Sequence, residues 1–120
     1  MGKRLMVVDD SPVLELEMRC LLEDSGFEIV ACCQNGEEAI AQYDKVHPDV
    51  VTMDIVMSGI DGLETAQVIL EDHPEANIVM VSSLVCDGSM NEADAIGAKA
   101  FVCKPFERNN LITALEKAVG

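Results

Sequence analysis

Two adjacent carboxylates, Asp9 and Asp10, directly follow a run of four apolar residues, Leu5–Val8. A third carboxylate, Asp54, follows another apolar run, Val50–Met53. Acidic side chains are seldom buried unless they are paired with a positive group or bind a metal ion. The pattern therefore indicates either a helix cap with spare acids beside it or a site for something positively charged.

Polar residues also follow two later apolar runs. Ser82 comes within the stretch IVMVSSL, and Lys104 and Pro105 come within AFVCKPF. In an open parallel sheet the functional crevice lies outside the carboxyl ends of the strands. Any one of these residues would suit an ordinary cap or turn, but their coincidence at one predicted edge favours a functional site.

The charge balance of this edge indicates a divalent cation. Two like charges ~4 Å apart repel by ~4 kcal/mol at an effective dielectric constant of 20, and one lysine, Lys104, does not neutralise three acids. Mg²⁺ prefers a few carboxylates, a backbone carbonyl, water and a phosphate oxygen. The two histidines, His47 and His73, each precede a proline in predicted loops, so a zinc or catalytic-histidine site is not indicated.

The elements that position these residues alternate between strands and helices. Three of the five apolar runs lack polar alternation, as strands buried on both faces do. We predict strands at Leu5–Val8, Phe27–Cys33, Val50–Met53, Ile78–Val81 and Ala100–Cys103. A helical pattern follows each strand, which predicts an α/β fold with a parallel sheet and five helices on its two faces.

Local signals predict where these helices begin and end. Ser11 suits an N-cap with Pro12 at the first helical position, and Asn35 suits the cap of the second helix. Asp61-Gly62 is interpreted as a tight turn without chemistry. A weakly apolar fourth helix is predicted around 89–96 and a fifth at about Arg108–Val119.

Length and composition restrict the class of protein. The 120 residues suit one domain, 1–120, and the net charge of −14 argues against direct binding to nucleic acid. No apolar run approaches the ~20 residues of a membrane helix, and the N-terminal apolar stretch is too short for a signal peptide, so we expect a cytoplasmic protein. The five cysteines lack metal-type spacing and are interpreted as small core residues.

Taken together, DD, MDIVMSGIDG, VSS and KPF resemble the receiver domain of bacterial two-component response regulators, over essentially the whole chain. As a free-standing chain it is most similar to the chemotaxis-type members. The resemblance implies a doubly wound, flavodoxin-like (CheY-like) fold with five parallel strands in the order 2-1-3-4-5. A departure is Met57-Ser58, where the family usually has Met-Pro; this loosens a loop but removes no catalytic atom.

The resemblance also implies a role for each site residue. Asp54 would accept a phosphoryl group, and Lys104 would pair with Asp54 and then with that group. Mg²⁺ would be held by Asp9, Asp10, Asp54 and the Val56 carbonyl. Ser82 would supply the switch hydroxyl and Phe101 the switch aromatic ring. Pro105 would follow a cis peptide bond.

The implied function is a switch rather than a turnover enzyme. Phosphorylation by a sensor histidine kinase would change the surface formed by the fourth helix, fifth strand and fifth helix, which then binds a downstream partner. A flagellar motor protein is the expected target, and a phosphatase is a further expected partner. Three alternatives stay open: the receiver of a larger, transcriptional regulator, a pseudo-receiver that is not phosphorylated, and a flavin-binding domain. The acidic first loop argues against the last, because phosphate binding favours amide-rich glycine and serine.

Overall fold

The sheet has five parallel strands, and the computed structural model describes residues 3–55, 60–82, 97–103 and 107–119. The strands are β1 (Lys3–Val8), β2 (Phe27–Cys33), β3 (Val50–Asp54), β4 (Ile78–Ser82) and β5 (Ala100–Cys103). Their order across the sheet is β2-β1-β3-β4-β5, with every neighbouring pair parallel. The predicted doubly wound sheet and its strand order are confirmed.

Four helices occur in the described part of the chain: α1 (Pro12–Leu21), α2 (Gly36–Val46), α3 (Gly62–Asp72) and α4 (Arg108–Val119). The helix predicted around 89–96 lies outside the described residues. The last helix has the predicted bounds. No helix among the described residues has both the length and the apolar character needed to cross a bilayer.

The helix starts show which capping signals were interpreted correctly. Asn35 caps α2 as predicted, because its side chain accepts a hydrogen bond from the Glu38 N–H at 2.8 Å. Ser11 stands at the N-cap of α1, but its side chain makes no cap bond. The interpretation of Asp61-Gly62 as a mere turn was wrong, since Asp61 caps α3 through the Glu64 N–H at 2.8 Å.

The core has two layers, one on each face of the sheet, because successive strand residues point to opposite faces. In β1, Leu5 and Val7 pack with α1 and α4, whereas Met6 and Val8 pack with α2 and α3. All five residues of β3 are buried. The central strands are therefore covered on both sides, which explains why their sequences lack polar alternation.

The edge strand β2 is less covered, and this bears on the cysteines. Of the described cysteines with a free thiol, Cys33 is buried, but Cys20 on α1 and Cys32 on β2 are exposed. The prediction that the cysteines are core residues is thus right for Cys33 and wrong for these two, and it is also wrong for Cys103, which is exposed at the end of β5. β2 borders only one strand, so its side chains lack neighbours on one side.

The first and last helices are joined on one face of the sheet. The Arg108 guanidinium at the start of α4 donates hydrogen bonds to the Leu21 carbonyl at 2.7 Å and to the Glu23 carbonyl at 2.9 Å. These carbonyls lie at and just beyond the end of α1, where helical carbonyls lack partners of their own and attract cations. The contact therefore fixes α4 beside α1.

Candidate metal and phosphorylation site

Three carboxylates meet at the carboxyl edge of the sheet. Val8 pairs with Met53, so the residues that follow them in adjacent strands, Asp9 and Asp54, come side by side. One carboxylate oxygen each from Asp9, Asp10 and Asp54 lies within 4.8 Å of the other two. The structure therefore brings together three of the residues predicted from the sequence.

The two inner acids are almost fully buried. Asp9 is 5% exposed and Asp54 is 6% exposed, whereas Asp10 is exposed to solvent. Like charges at this separation repel each other by several kcal/mol where water is partly excluded, ~4 kcal/mol at 4 Å and an effective dielectric constant of 20. A divalent cation offsets this repulsion, and three carboxylate oxygens with one side open to water are a donor set that suits Mg²⁺.

Main-chain hydrogen bonds fix the positions of the buried acids. The Asp9 N–H donates to the Cys33 carbonyl at 2.9 Å, and the Asp9 carboxylate accepts the Ser11 N–H at 2.8 Å. On the other strand, the Ile55 N–H next to Asp54 donates to the Val81 carbonyl at 3.0 Å. Both acids are thus held by the strands on either side of them.

The loop before α1 also explains why Ser11 makes no cap bond through its side chain. The Leu14 N–H, which a serine N-cap side chain can accept, donates to the Ser11 carbonyl at 3.2 Å. The Ser11 N–H is itself bonded to the Asp9 carboxylate, and Pro12, which follows, has no N–H. A phosphate would need such N–H groups at the start of a helix. This loop therefore orients a carboxylate, and the arrangement disfavours the flavin-binding alternative.

The cysteines beside the site do not supply a thiolate. Cys32 and Cys33 lie close to Asp9 at the end of β2. Partial removal from water raises the pKa of both thiols to about 11, although Cys32 is exposed overall; Glu15 acts in the same direction on Cys32, against Arg19, and Glu38 does so on Cys33. Both thiols are therefore protonated at neutral pH, and the site keeps the all-oxygen character that Mg²⁺ requires.

Sequence reasoning missed the contribution of α3. The Gly62 N–H donates to the Ile55 carbonyl at 2.8 Å, so the helix begins directly against the end of β3. A signal was present, since Asp61 followed three residues later by Glu64 is a helix-start pattern. What the pattern does not reveal is that this helix start touches the residue next to Asp54.

The other predicted site residues have mixed outcomes. Phe101 on β5 is partly buried and packs against the core layer under α2 and α3. Ser82 ends β4 opposite Cys103, which puts its backbone at the predicted edge, but its side chain is outside the described structure. Val56, Lys104 and Pro105 lie outside the described residues.

Comparison with known proteins gives a consistent result. The model of the response regulator receiver domain family matches residues 5–116. The chemotaxis protein CheY of Listeria monocytogenes is 41% identical over 115 residues, which cover 96% of this chain and 97% of that protein.

Solved structures share the fold over nearly the whole chain. A two-component response regulator of the LuxR family from an Aurantimonas species superimposes with a TM-score of 0.93 at 28% identity, covering 99% of this chain and 86% of that one. A chain of the CheX-CheY-BeF3-Mg²⁺ complex from Borrelia burgdorferi gives 0.92 at 28% identity, covering 98% and 90%.

Proposed function

Because this chain belongs to the response regulator receiver domain family, we propose that it is a chemotaxis phospho-receiver whose phosphorylation site is Asp54. The observation that carries the proposal is the cluster of Asp9, Asp10 and Asp54 at the carboxyl edge of the sheet. Asp54 ends the central strand β3, where a parallel α/β sheet presents its reactive groups.

The reaction is a phosphoryl transfer to a carboxylate. An Asp54 carboxylate oxygen attacks the phosphorus of a phosphohistidine, the phosphorus–nitrogen bond breaks, and the electron pair remains on the donor imidazole, which takes a proton from solvent. The product is an acyl phosphate on Asp54, a reactive covalent species. Positioning and electrostatic stabilisation account for nearly all the catalysis in such transfers.

The metal fits the residues present. Asp9 and Asp10 would hold Mg²⁺ together with Asp54 and the Val56 carbonyl, and the ion would neutralise charge on the transferring group. Asp9 contributes an orientation fixed by the Ser11 N–H, and exposed Asp10 contributes a second carboxylate at the open side.

The roles of the remaining residues follow from the family resemblance. Lys104 would pair with the phosphoryl group, Ser82 would donate its hydroxyl to it, and Pro105 would follow a cis peptide bond. Phe101, which is partly buried against the core layer, would rotate into the space that Ser82 vacates. Phosphorylation adds roughly one further negative charge and new acceptor oxygens, which is the change that the switch would detect.

The proposed partners are a sensor histidine kinase as donor, a downstream target such as a flagellar motor protein, and a phosphatase. The Borrelia relative is in complex with CheX, which supports a CheX-like partner here. We place the protein in the cytoplasm as one receiver domain, 1–120, that modifies only itself and is not a turnover enzyme. The near-complete match with a CheY relative supports chemotaxis over a transcriptional role.

The test is intact mass after incubation with acetyl phosphate and Mg²⁺. Wild type should gain one phosphoryl group, EDTA should prevent the gain, and Asp54→Asn should show none, because an amide is not a nucleophile for phosphorus. Asp49→Asn is the matched control, since Asp49 is an acid held by the Arg4 N–H at the opposite edge of the sheet. The proposal fails if wild type gains no mass from either acetyl phosphate or a phosphorylated histidine kinase.

A further inference from the structure

The main chain at the end of β3 is held from two sides. On the sheet side, the Ile55 N–H donates to the Val81 carbonyl at 3.0 Å. On the helix side, the Ile55 carbonyl accepts the Gly62 N–H at 2.8 Å. The residue immediately after the phosphorylation site is therefore fixed between strand β4 and the first turn of α3.

Gly62 touches this main chain directly. A Cβ built on Gly62 would lie 2.7 Å from the Asp54 carbonyl carbon and 2.8 Å from the Ile55 Cα, and the Asp54 carbonyl oxygen would be closer still. Gly62 is not among the residues with a positive φ angle, so its backbone conformation suits any residue. It is the space, not the conformation, that requires glycine here.

The contact cannot be relieved by rotating a side chain, because every atom it involves belongs to the main chain. Any side chain at position 62 therefore separates the start of α3 from the end of β3. The displacement is on the order of 1 Å, and a misplacement of that size can cost a reaction about 100-fold.

The first turn of α3 is itself held firmly. The Asp61 carboxylate accepts the Glu64 N–H at 2.8 Å, and the Asp61 carbonyl accepts both the N–H and the hydroxyl of fully buried Thr65. On its other side the turn backs onto Gly36 of α2, where a Cβ would meet the side chains of Thr65 and Ile60. Because this turn is held in place, its contact with the end of β3 also fixes the position of that strand end.

We infer that the first turn of α3 positions Asp54, with Gly62 as the positioning residue and Asp61 as its anchor. The inference rests on the proposed function. Neither residue touches the reacting atoms. Together they set where the Asp54 main chain stands, and therefore how its carboxylate lies relative to Asp9, Asp10 and the incoming phosphoryl group.

The test compares two pairs of variants under conditions in which each is folded, as shown by its urea unfolding curve. Gly62→Ala is paired with Gly26→Ala, because Gly26 has a φ of +88° with no atom near its Cβ position and so loses stability through backbone strain alone. Asp61→Ala is paired with Asn35→Ala, because both remove a 2.8 Å cap bond from a helix start.

The readouts are the rate of phosphorylation by acetyl phosphate at saturating Mg²⁺ and the Mg²⁺ affinity by calorimetry. Gly62→Ala should lower the rate about 10- to 100-fold, and Asp61→Ala should lower it by a smaller factor. Gly26→Ala and Asn35→Ala should keep the wild-type rate although they lower the urea midpoint. Stability and rate are thereby separated.

The inference is overturned if both α3 variants are phosphorylated as fast as their controls. Should Gly62→Ala not fold, the pair Asp61→Ala and Asn35→Ala decides alone. A wild-type protein that takes no phosphoryl group contradicts the proposed function instead. The Mg²⁺ affinities then decide the inference, which requires weaker binding by Asp61→Ala than by Asn35→Ala.

Discussion

The two edges of the sheet treat acidic residues in opposite ways. At the carboxyl edge Asp9, Asp10 and Asp54 stand together, two of them almost fully buried. At the amino edge Asp49 accepts the Arg4 N–H at 2.8 Å, and Asp44 lies 2.7 Å from an imidazole nitrogen of His73. Carboxylates as close together as the first three repel one another, and a cation offsets that repulsion, so among the described residues it is the carboxyl edge that indicates a ligand.

The loops at the two edges also differ in what their hydrogen bonds hold in place. At the carboxyl edge, the Ser11 N–H and the start of α3 orient acids and the main chain around them. At the amino edge, the Arg4 guanidinium and the Asn77 side chain bond the carbonyls of His47 and Asp49, which ties neighbouring loops together. Four predictions test this difference, beginning with the loss of phosphorylation in Asp54→Asn described above; three more follow.

The largest effect on stability should come from Mg²⁺. A ligand that binds only the folded state at 100 times its dissociation constant raises the free energy of unfolding by about 2.7 kcal/mol. Wild type should show this increase in urea unfolding with Mg²⁺ against EDTA, because the ion offsets the repulsion among the three acids. Asp44→Asn, at the amino edge, should keep the full increase. If Asp44→Asn and Asp54→Asn lost the Mg²⁺-dependent increase equally, the two edges would not differ in the way described.

Neutralising one acid at the carboxyl edge should also raise the stability, but by a smaller amount. In EDTA, Asp9→Asn should be more stable than wild type by roughly 1–2 kcal/mol, since it removes like-charge repulsion that solvent around Asp10 partly screens. An asparagine oxygen still accepts the Ser11 N–H, so that bond is retained. Asp49→Asn should give no such gain, and an Asp9→Asn protein less stable than wild type in EDTA would contradict the prediction.

The smallest effect concerns pH at the amino edge. The hydrogen bond with Asp44 is the largest effect and raises the pKa of His73; burial opposes it, and the charges of Asp44, Glu75 and Asp72 raise the pKa further. A raised pKa in the folded state gives a stabilisation that is complete below the ordinary histidine pKa and is lost as pH rises through the folded-state pKa. The Tyr43 ring and His47 pack beside this imidazole and complete its surroundings.

The measurement is urea unfolding in EDTA across neutral pH for wild type and Asp44→Asn. Wild type should lose stability as pH rises above about 6.5, the ordinary histidine pKa, and the loss should be smaller in Asp44→Asn. His73→Gln should remove this dependence. Identical pH profiles for wild type and Asp44→Asn would show that the hydrogen bond between His73 and Asp44 does not cause the pH dependence of stability.

Most of the fold could be predicted because it depends on local patterns. The apolar runs gave strands β2 and β5 with their observed bounds and the other three to within two residues at an end. The strand order came from the family resemblance, since alternation of strands and helices alone does not say which strand lies at an edge. This is also why the exposure of Cys32 was not foreseen: a strand's burial depends on its neighbours.

The site was predictable where it depends on strand ends and not where it depends on packing between distant residues. Asp9, Asp10 and Asp54 follow apolar runs, so the parallel sheet itself brings them together. The contact between Gly62 and the main chain of Asp54 has no such signal, because a glycine after an aspartate equally suits a tight turn. Only the packing of α3 on β3 distinguishes the two.

The bonds from Arg108 to the end of α1 have a consequence for how the chain folds during synthesis. The apolar side chains of β1 that face α1 are also covered by Leu111 and Leu115 of α4, which is made after all five strands. Until α4 emerges from the ribosome, that face of the sheet stays exposed to water and to other chains, and the carbonyls of Leu21 and Glu23 lack the arginine that bonds them. We therefore expect a nascent chain without α4 to be recognised by chaperones, and this face of the sheet to be covered only after α4 has emerged.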